Sequence, residues 1–421
     1  MSLNVAVTGM GIISSLGHNV DEFCTRLAKD ECTIEPAPWT WADSTKRGWW
    51  APVRDFVASD WMDERVEDGT DRVAHLAIAA AVAAKRDAGL NKLPPLRTAL
   101  VMGVSMGGTL TLQRAQHDLA VSGPESVSAK TVLRIWPNMA AAQLAMRWEL
   151  HGPSLTITTA CASSLDAIGT AARLIAAGVV DLAVAGGAET SPFGVGDPDF
   201  LPVIGHTSVM FGMSPSVDDP RQTCLPFDRH RLGMVPGEGA GVVVLESERH
   251  ATGRGARVHA WVQGYGSLAD GYHPSSPDPS GEWERLAMAN ALDEAGLDST
   301  QIDGIMAHGT GTPKGDLAEI RAINGLFSRN ARRVLTSSLK GHIGHPGAAS
   351  GAISLMAAIW GMHSGTFIHT SLTKELDPEI QFEVVLSEPT QADINNVQVN
   401  AFGFGGQNAS IVASSAPQGA N

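Results

Sequence analysis

Val7-Thr8-Gly9-Met10-Gly11 returns later in the chain as Val262-Gln263-Gly264-Tyr265-Gly266. In both places a strand-like run enters a Gly-x-Gly, which permits a tight turn or a close backbone approach. Two more echoes follow in the same order. A helical run ending Asp87-Ala88-Gly89-Leu90 is matched by one ending Glu294-Ala295-Gly296-Leu297, and each leads into a strand. Pro236-Gly237-Glu238-Gly239-Ala240-Gly241-Val242-Val243 is matched by Gly405-Gly406-Gln407-Asn408-Ala409-Ser410-Ile411-Val412. Three echoes in one order predict a duplicated α/β unit. The join falls near residue 255, in the basic stretch Gly253-Arg254-Gly255-Ala256-Arg257, and divides the chain into halves 1–255 and 256–421.

Working outward, short apolar runs alternate with alanine-rich helical segments, the pattern of layered α/β structure with buried strands. Expected strands are Val5–Thr8, Thr98–Val104, Leu155–Thr159, Asp181–Ala185, Gly241–Leu245 and Val258–Gln263 in the first part of the chain. Gly304–Ala307, Arg333–Thr336, Val397–Asn400 and Ala409–Ala413 follow. Glycine pairs are expected to close several of them, with a site assembled at the strand ends. The polar tail after Ser414 is expected to fray.

The 421 residues carry 30 Lys and Arg against 44 Asp and Glu, a formal charge of −14. That balance argues against nucleic acid and anionic membranes as partners. An acidic protein partner would need a local basic patch, which the sequence does not locate. The N-terminus enters a strand-like run with no basic leader. The longest apolar stretch, Leu76 to Ala84, stops at Lys85-Arg86, far short of the roughly 20 residues that span a bilayer. Cys24, Cys32, Cys161 and Cys224 do not make a disulfide framework in a chain of this length. A reducing, cytoplasmic setting is expected.

Four motifs carry chemistry. Thr158-Thr159-Ala160-Cys161-Ala162-Ser163-Ser164 follows a strand-like run and opens a helix whose Leu165, Ile168, Ala172 and Ile175 share a face. Cys161 therefore stands at a strand-to-helix turn, where the helix N-terminus favours thiolate. Ala307-His308-Gly309-Thr310-Gly311-Thr312-Pro313 presents His308 at a strand end, with Asp316 and Glu319 downstream. A histidine so placed donates a hydrogen bond or moves a proton. Lys340-Gly341-His342-Ile343-Gly344-His345-Pro346-Gly347-Ala348-Ala349-Ser350-Gly351 sets His345 before an alanine-rich helix, much as Cys161 precedes its own. The duplication then faces the two across a pseudo-twofold axis. Asn400-Ala401-Phe402-Gly403-Phe404-Gly405-Gly406-Gln407-Asn408 reads as a backbone-donor loop able to bind an oxyanion.

In this order the four motifs resemble the elongating β-ketoacyl–acyl carrier protein synthases, over nearly the whole chain. The resemblance implies a duplicated, five-layered αβαβα thiolase fold. It implies that Cys161 accepts the acyl chain from a phosphopantetheine thioester. His308 and His345 would then hydrogen-bond the thioester carbonyl of the malonyl extender and stabilise the enolate left by decarboxylation. Backbone N–H groups of Cys161 and Phe404 would form the oxyanion hole, and Phe404 would gate the nucleophile beside Phe402. Lys340 would order the histidines with Glu319, Asp316 would hold the polar network, and Thr310 and Thr312 would contact pantetheine. Such chemistry needs no metal and no cofactor beyond the carrier protein's phosphopantetheine, and the histidines stand too far apart in sequence to argue for zinc. The implied partners are an acyl carrier protein and a second subunit, either a copy of this chain or a chain-length factor.

The sequence also departs from the family. Met234 stands where a phenylalanine is usual, near the extender carboxylate. The segment from Phe193-Gly194-Val195-Gly196-Asp197-Pro198 to His206-Thr207-Ser208-Val209-Met210-Phe211-Gly212-Met213 corresponds to the acyl tunnel and its lid, and diverges from the fatty-acid pattern. Trp136-Pro137-Asn138-Met139 falls where the family's subunits meet. These departures point to a ketosynthase of type II polyketide or polyene synthesis, with housekeeping fatty-acid elongation as the alternative. A non-catalytic subunit of the chain-length-factor kind would have lost the nucleophile. A thiolase would want a second cysteine near the C-terminus, and a starter-type synthase an asparagine in place of His345.

Overall fold

The computed structural model of the chain describes residues 3–38, 48–193, 200–327 and 334–417. The main sheet is built from β1 (Val5–Ile13), β2 (Thr98–Gly103), β3 (Ser154–Ile157), β4 (Leu182–Glu189), β5 (Gly239–Ser247) and β6 (Ala260–Ala269). It continues with β7 (Gly304–Met306), β8 (Leu335–Ser337), β9 (Glu383–Val384), β10 (Asn396–Gly403) and β11 (Gln407–Ser414). Their spatial order is β9-β8-β7-β10-β11-β6-β1-β5-β4-β2-β3. Setting aside the two-residue β9, this order is a palindrome about the β6/β1 boundary. Each strand of the first half has its counterpart at the same distance on the other side, with the same parallel or antiparallel relation to its neighbour. The antiparallel pairing of β1 with β6, Val5 opposite Val262, joins the halves.

Helices α1 (Val20–Ala28), α2 (Arg72–Asp87), α3 (Met139–Trp148), α4 (Ser163–Ala176), α5 (Glu282–Ala295), α6 (Pro313–Phe327) and α7 (Ser350–Ser364) complete the layers. α2 and α3 cover the outer face of the first-half strands, and α5 and α6 that of the second. α4 and α7 pack between the two sets of strands in the largest apolar core, where Leu165, Ile168, Ala172 and Ile175 are all buried. The stack therefore runs helix, sheet, helix, sheet, helix. Both central helices are buried along most of their length, where alanine, glycine and serine let helices and strands approach closely.

The glycines of the founding repeat differ from expectation. Gly9 and Gly11 do not close β1; the strand runs through them to Ile13. Their purpose is contact. A Cβ at Gly11 would lie 2.0 Å from the Ala80 carbonyl oxygen, and one at Gly266 would lie 2.0 Å from that of Ala287. The same helix-on-strand contact is thus made twice, once in each half.

All ten expected strands form, most with shifted ends. The start of the one expected at Arg333 lies outside the described residues, as do Gly194 to Pro198 and the last four residues of the tail. Among the described residues no helix is long and apolar enough to cross a membrane.

Candidate active site

Cys161 sits at the middle of a one-turn 3-10 segment, Ala160–Ala162, and α4 begins only at Ser163. Ala160 adopts a left-handed φ of 49°, a conformation that costs a non-glycine residue about 1 kcal/mol or more. The bend is held by Ser163, whose hydroxyl donates to the Ala160 carbonyl and accepts the Thr159 N–H. In the second half the 3-10 turn Gly347–Ala349 precedes α7 in the same way. The pseudo-equivalent of Cys161 is therefore Ala348, and His345 lies three residues upstream of it.

From there the His345 ring reaches across. Its Nε2 lies 3.0 Å from the Cys161 sulfur. The His308 ring stands edge-on to it, centroids 5.2 Å apart, and 6.0 Å from the Phe402 ring. A cavity of about 300 Å³ opens onto these groups. Met234, Thr310, Thr312, Phe402 and Phe404 line it, as do Phe211 and Met213 from the segment expected to shape an acyl pocket. Three residues named from the sequence, Asp316, Glu319 and Lys340, are buried behind the cavity wall.

Their contacts show how the wall is held. Glu319 accepts the His308 and Gly309 backbone N–H groups at 2.8 and 2.7 Å, and the Asn400 amide at 3.2 Å. Asp316 accepts from Thr310 at 2.9 Å, Gly311 at 3.0 Å and Phe227 at 2.7 Å. The two acids fix the loop after β7, leaving the Thr310 and Thr312 hydroxyls 2.9 Å apart at the cavity. Lys340 and Glu319 attract one another without a close ion pair among the described residues; the Glu319 carboxylate is occupied by backbone donors and the Asn400 amide.

Electrostatics correct one expectation. Burial pushes the Cys161 thiol up to about 11, Glu189 adding to the rise. Lys340 and the backbone N–H groups of Phe404 and Cys161, which point at the sulfur, oppose it. Desolvation thus outweighs the helix N-terminus and favours the thiol over the thiolate. Burial, then Lys340, holds both histidines well below the usual imidazole range, so they are neutral. The Nδ1 atoms of His308 and His345 are buried without a hydrogen-bond partner among the described residues. Separation in sequence does not keep the histidines apart in space. Ligating atoms of Cys161, His308 and His345 all lie within 4.8 Å of one another, so the zinc argument from sequence distance fails, although the same donor set suits acyl chemistry without a metal.

Two acids went unforeseen. Glu189 ends β4 just past Gly186-Gly187, and burial raises it to about 7 despite hydrogen bonds from Ser105 and backbone N–H groups. Its signal was the same strand-end placement that marked His308. Glu284 lines the cavity, and burial, then Glu319, pushes it well above the carboxylate range. It was legible as one acid on the apolar stripe of α5, in register with Ala287, Met288 and Ala291.

The description "Beta-ketoacyl synthase, N-terminal domain" matches residues 3–251, and its C-terminal counterpart matches residues 259–373. A 3-oxoacyl-[acyl-carrier-protein] synthase 2 of Coxiella burnetii is 33% identical over 97% of this chain and 98% of its own length. Among solved structures, a chain of the ishigamide ketosynthase/chain length factor is 30% identical, covers 99% of this chain with all of its own, and has a TM-score of 0.89. A β-ketoacyl synthase from Burkholderia phymatum STM815 is 32% identical with a TM-score of 0.88, covering 99% of this chain and 100% of its own. The layered stack is that of the thiolase fold, and with these matches over both halves the chain belongs to the β-ketoacyl synthase family.

Proposed function

We propose that the protein joins a Cys161-bound acyl chain to malonyl–acyl carrier protein by decarboxylative Claisen condensation. The observation that carries this reading is the 3.0 Å approach of His345 Nε2 to the Cys161 sulfur, beside His308 in one cavity. In the first step the sulfur attacks the carrier thioester. The new S–C bond replaces the carrier's, and the thiol proton ends on the departing pantetheine sulfur. In the second step the malonyl group loses carbon dioxide. The electrons of the broken C–C bond form an enolate, whose oxygen accepts from His308 and His345; one such donor is typically worth about 3–4 kcal/mol. The enolate carbon then attacks the acyl carbonyl. Its oxygen is held by the N–H groups of Cys161 and Phe404, and collapse releases the Cys161 sulfur, which regains a proton.

Lys340, Asp316 and Glu319 act by positioning; Thr310 and Thr312 receive the pantetheine arm; Phe402 and Phe404 gate the nucleophile; Met234 faces the extender. The reaction asks for no metal and no dissociable cofactor, the substrates arriving on phosphopantetheine. We place the protein in the cytoplasm, working with an acyl carrier protein and a second subunit, and divide it into halves near residue 255. Likeness to a ketosynthase/chain length factor and the divergent Phe211–Met213 wall favour type II polyketide or polyene synthesis. Likeness to 3-oxoacyl-[acyl-carrier-protein] synthase 2 proteins favours fatty-acid elongation as the second reading. Peptide mass spectrometry after incubation with acyl carrier proteins tests the proposal: an acyl adduct on Cys161, absent from Cys161→Ala, is expected. No adduct with any acyl carrier would defeat it. Efficient extension of long saturated chains by the protein alone would select the second reading.

A further inference from the structure

A second histidine pair lies on the far side of the catalytic segment. His342, in the single turn Lys340–Ile343, and His369 stand edge-on with ring centroids 5.0 Å apart. Both are fully buried, while Asp30, in the loop after α1, is half-exposed. Asp30 Oδ1 lies 2.9 Å from His369 Nε2 and 3.9 Å from His342 Nδ1, and all three ligating atoms fall within 4.8 Å of one another.

The surroundings of His342 pose a problem that a cation solves. Its Nε2 lies 3.1 Å from the His369 carbonyl oxygen, and its Nδ1 lies 3.1 Å from that of Glu31. A neutral imidazole has one N–H and satisfies one carbonyl; the other then faces a bare lone pair. With the proton on Nε2, the bond to the His369 carbonyl is the outer hydrogen bond that typically orients a metal-binding imidazole. Nδ1 then keeps its lone pair, 3.1 Å from the Glu31 carbonyl oxygen and 3.9 Å from Asp30 Oδ1. Zinc at its usual bond lengths of about 2.0–2.1 Å holds tetrahedral ligands roughly 3.3 Å apart, between the two separations seen here. Asp30 supplies the negative charge and the route from solvent.

We propose that Asp30, His342 and His369 form a site for a divalent transition metal of the zinc class, the fourth position falling to the Glu31 carbonyl or to solvent. The ion would pin the loop after α1 to the segment that carries Lys340 and His345. The same loop already grips that segment: Thr33 N–H donates to the His342 carbonyl at 2.8 Å and the Cys32 thiol to that of Gly341 at 3.3 Å. The role is structural and stands apart from the acyl chemistry.

Cobalt(II) titration of the chelator-treated full chain tests the site, with Cys161 alkylated to remove the other donor set. One equivalent is expected, with visible d–d absorption of tetrahedral intensity and no thiolate-to-cobalt charge transfer. Asp30→Asn should weaken binding at least tenfold; asparagine tolerates the left-handed φ of 59° there. His369→Gln should abolish the spectrum; should that variant not fold, Asp30→Asn decides alone. Zinc should raise Tm in the parent protein and not in Asp30→Asn. No cobalt spectrum at micromolar metal, a thiolate band, or a spectrum unchanged in Asp30→Asn would each overturn the proposal.

Discussion

Cys161, the proposed nucleophile, is held in check by its own burial. With the thiol pushed up to about 11 and His345 neutral beside it, the sulfur carries no charge at neutral pH. Alkylation of Cys161 by iodoacetamide is therefore expected to accelerate well beyond pH 9, with no plateau near the ordinary thiol range. Lys340 lowers the thiol pKa, so Lys340→Ala should move the profile to still higher pH. A plateau by pH 8 would show that the helix N-terminus dominates after all. At this scale the sequence named Cys161, His308 and His345, which the structure gathers at one cavity, and its expectation of a thiolate runs against the burial of the sulfur. Cys161, His308, His345 and Lys340 were all named from motif; the turns around the first three bring their side chains to the cavity, while Lys340 lies buried behind its wall. The sign of the thiol's shift was hidden, because burial of the sulfur and the nearby Glu189 charge come from parts of the chain distant in sequence.

Among the elements, the repeated Gly-x-Gly sets how close a helix can lie to its strand. A methyl group at Gly266 would meet the Ala287 carbonyl at 2.0 Å and the Ala291 nitrogen at 2.9 Å, both backbone atoms that cannot swing aside. Overpacking typically costs about 1–3 kcal/mol; with rigid backbone in the way, Gly266→Ala should reach or exceed the upper end. Gly253→Ala, at a helical position with nothing within 4 Å, is the control and should be neutral or slightly stabilising. Thermal unfolding of the two variants checks the pair: equal Tm values would mean that α5 slides freely on β6. The repeat was readable because each copy obeys the same contact. Strand ends were less so, since β1 runs through the glycines expected to stop it. What continues a strand there is pairing with β5 on one side, which local composition does not record.

For the whole molecule, the palindromic strand order brings one sulfur and two imidazoles into a single cavity. It also leaves β3 at one edge of the sheet, with Leu155 exposed. Exposed edge strands recruit partners, and Trp136 and Met146 add apolar surface nearby in sequence. A charge on that edge, Leu155→Lys, should shift the assembled protein toward free subunits in sedimentation velocity, whether the partner is a second copy or a chain-length factor. Unchanged assembly would remove β3 from the interface. The site as a whole is probed by following carbon dioxide release and β-ketoacyl product together, from malonyl carrier and an acyl carrier. If the halves divide the labour as proposed, Cys161→Ala releases carbon dioxide yet forms no product, and His345→Ala loses most of the release itself. Product from Cys161→Ala, or undiminished release from His345→Ala, would contradict the account.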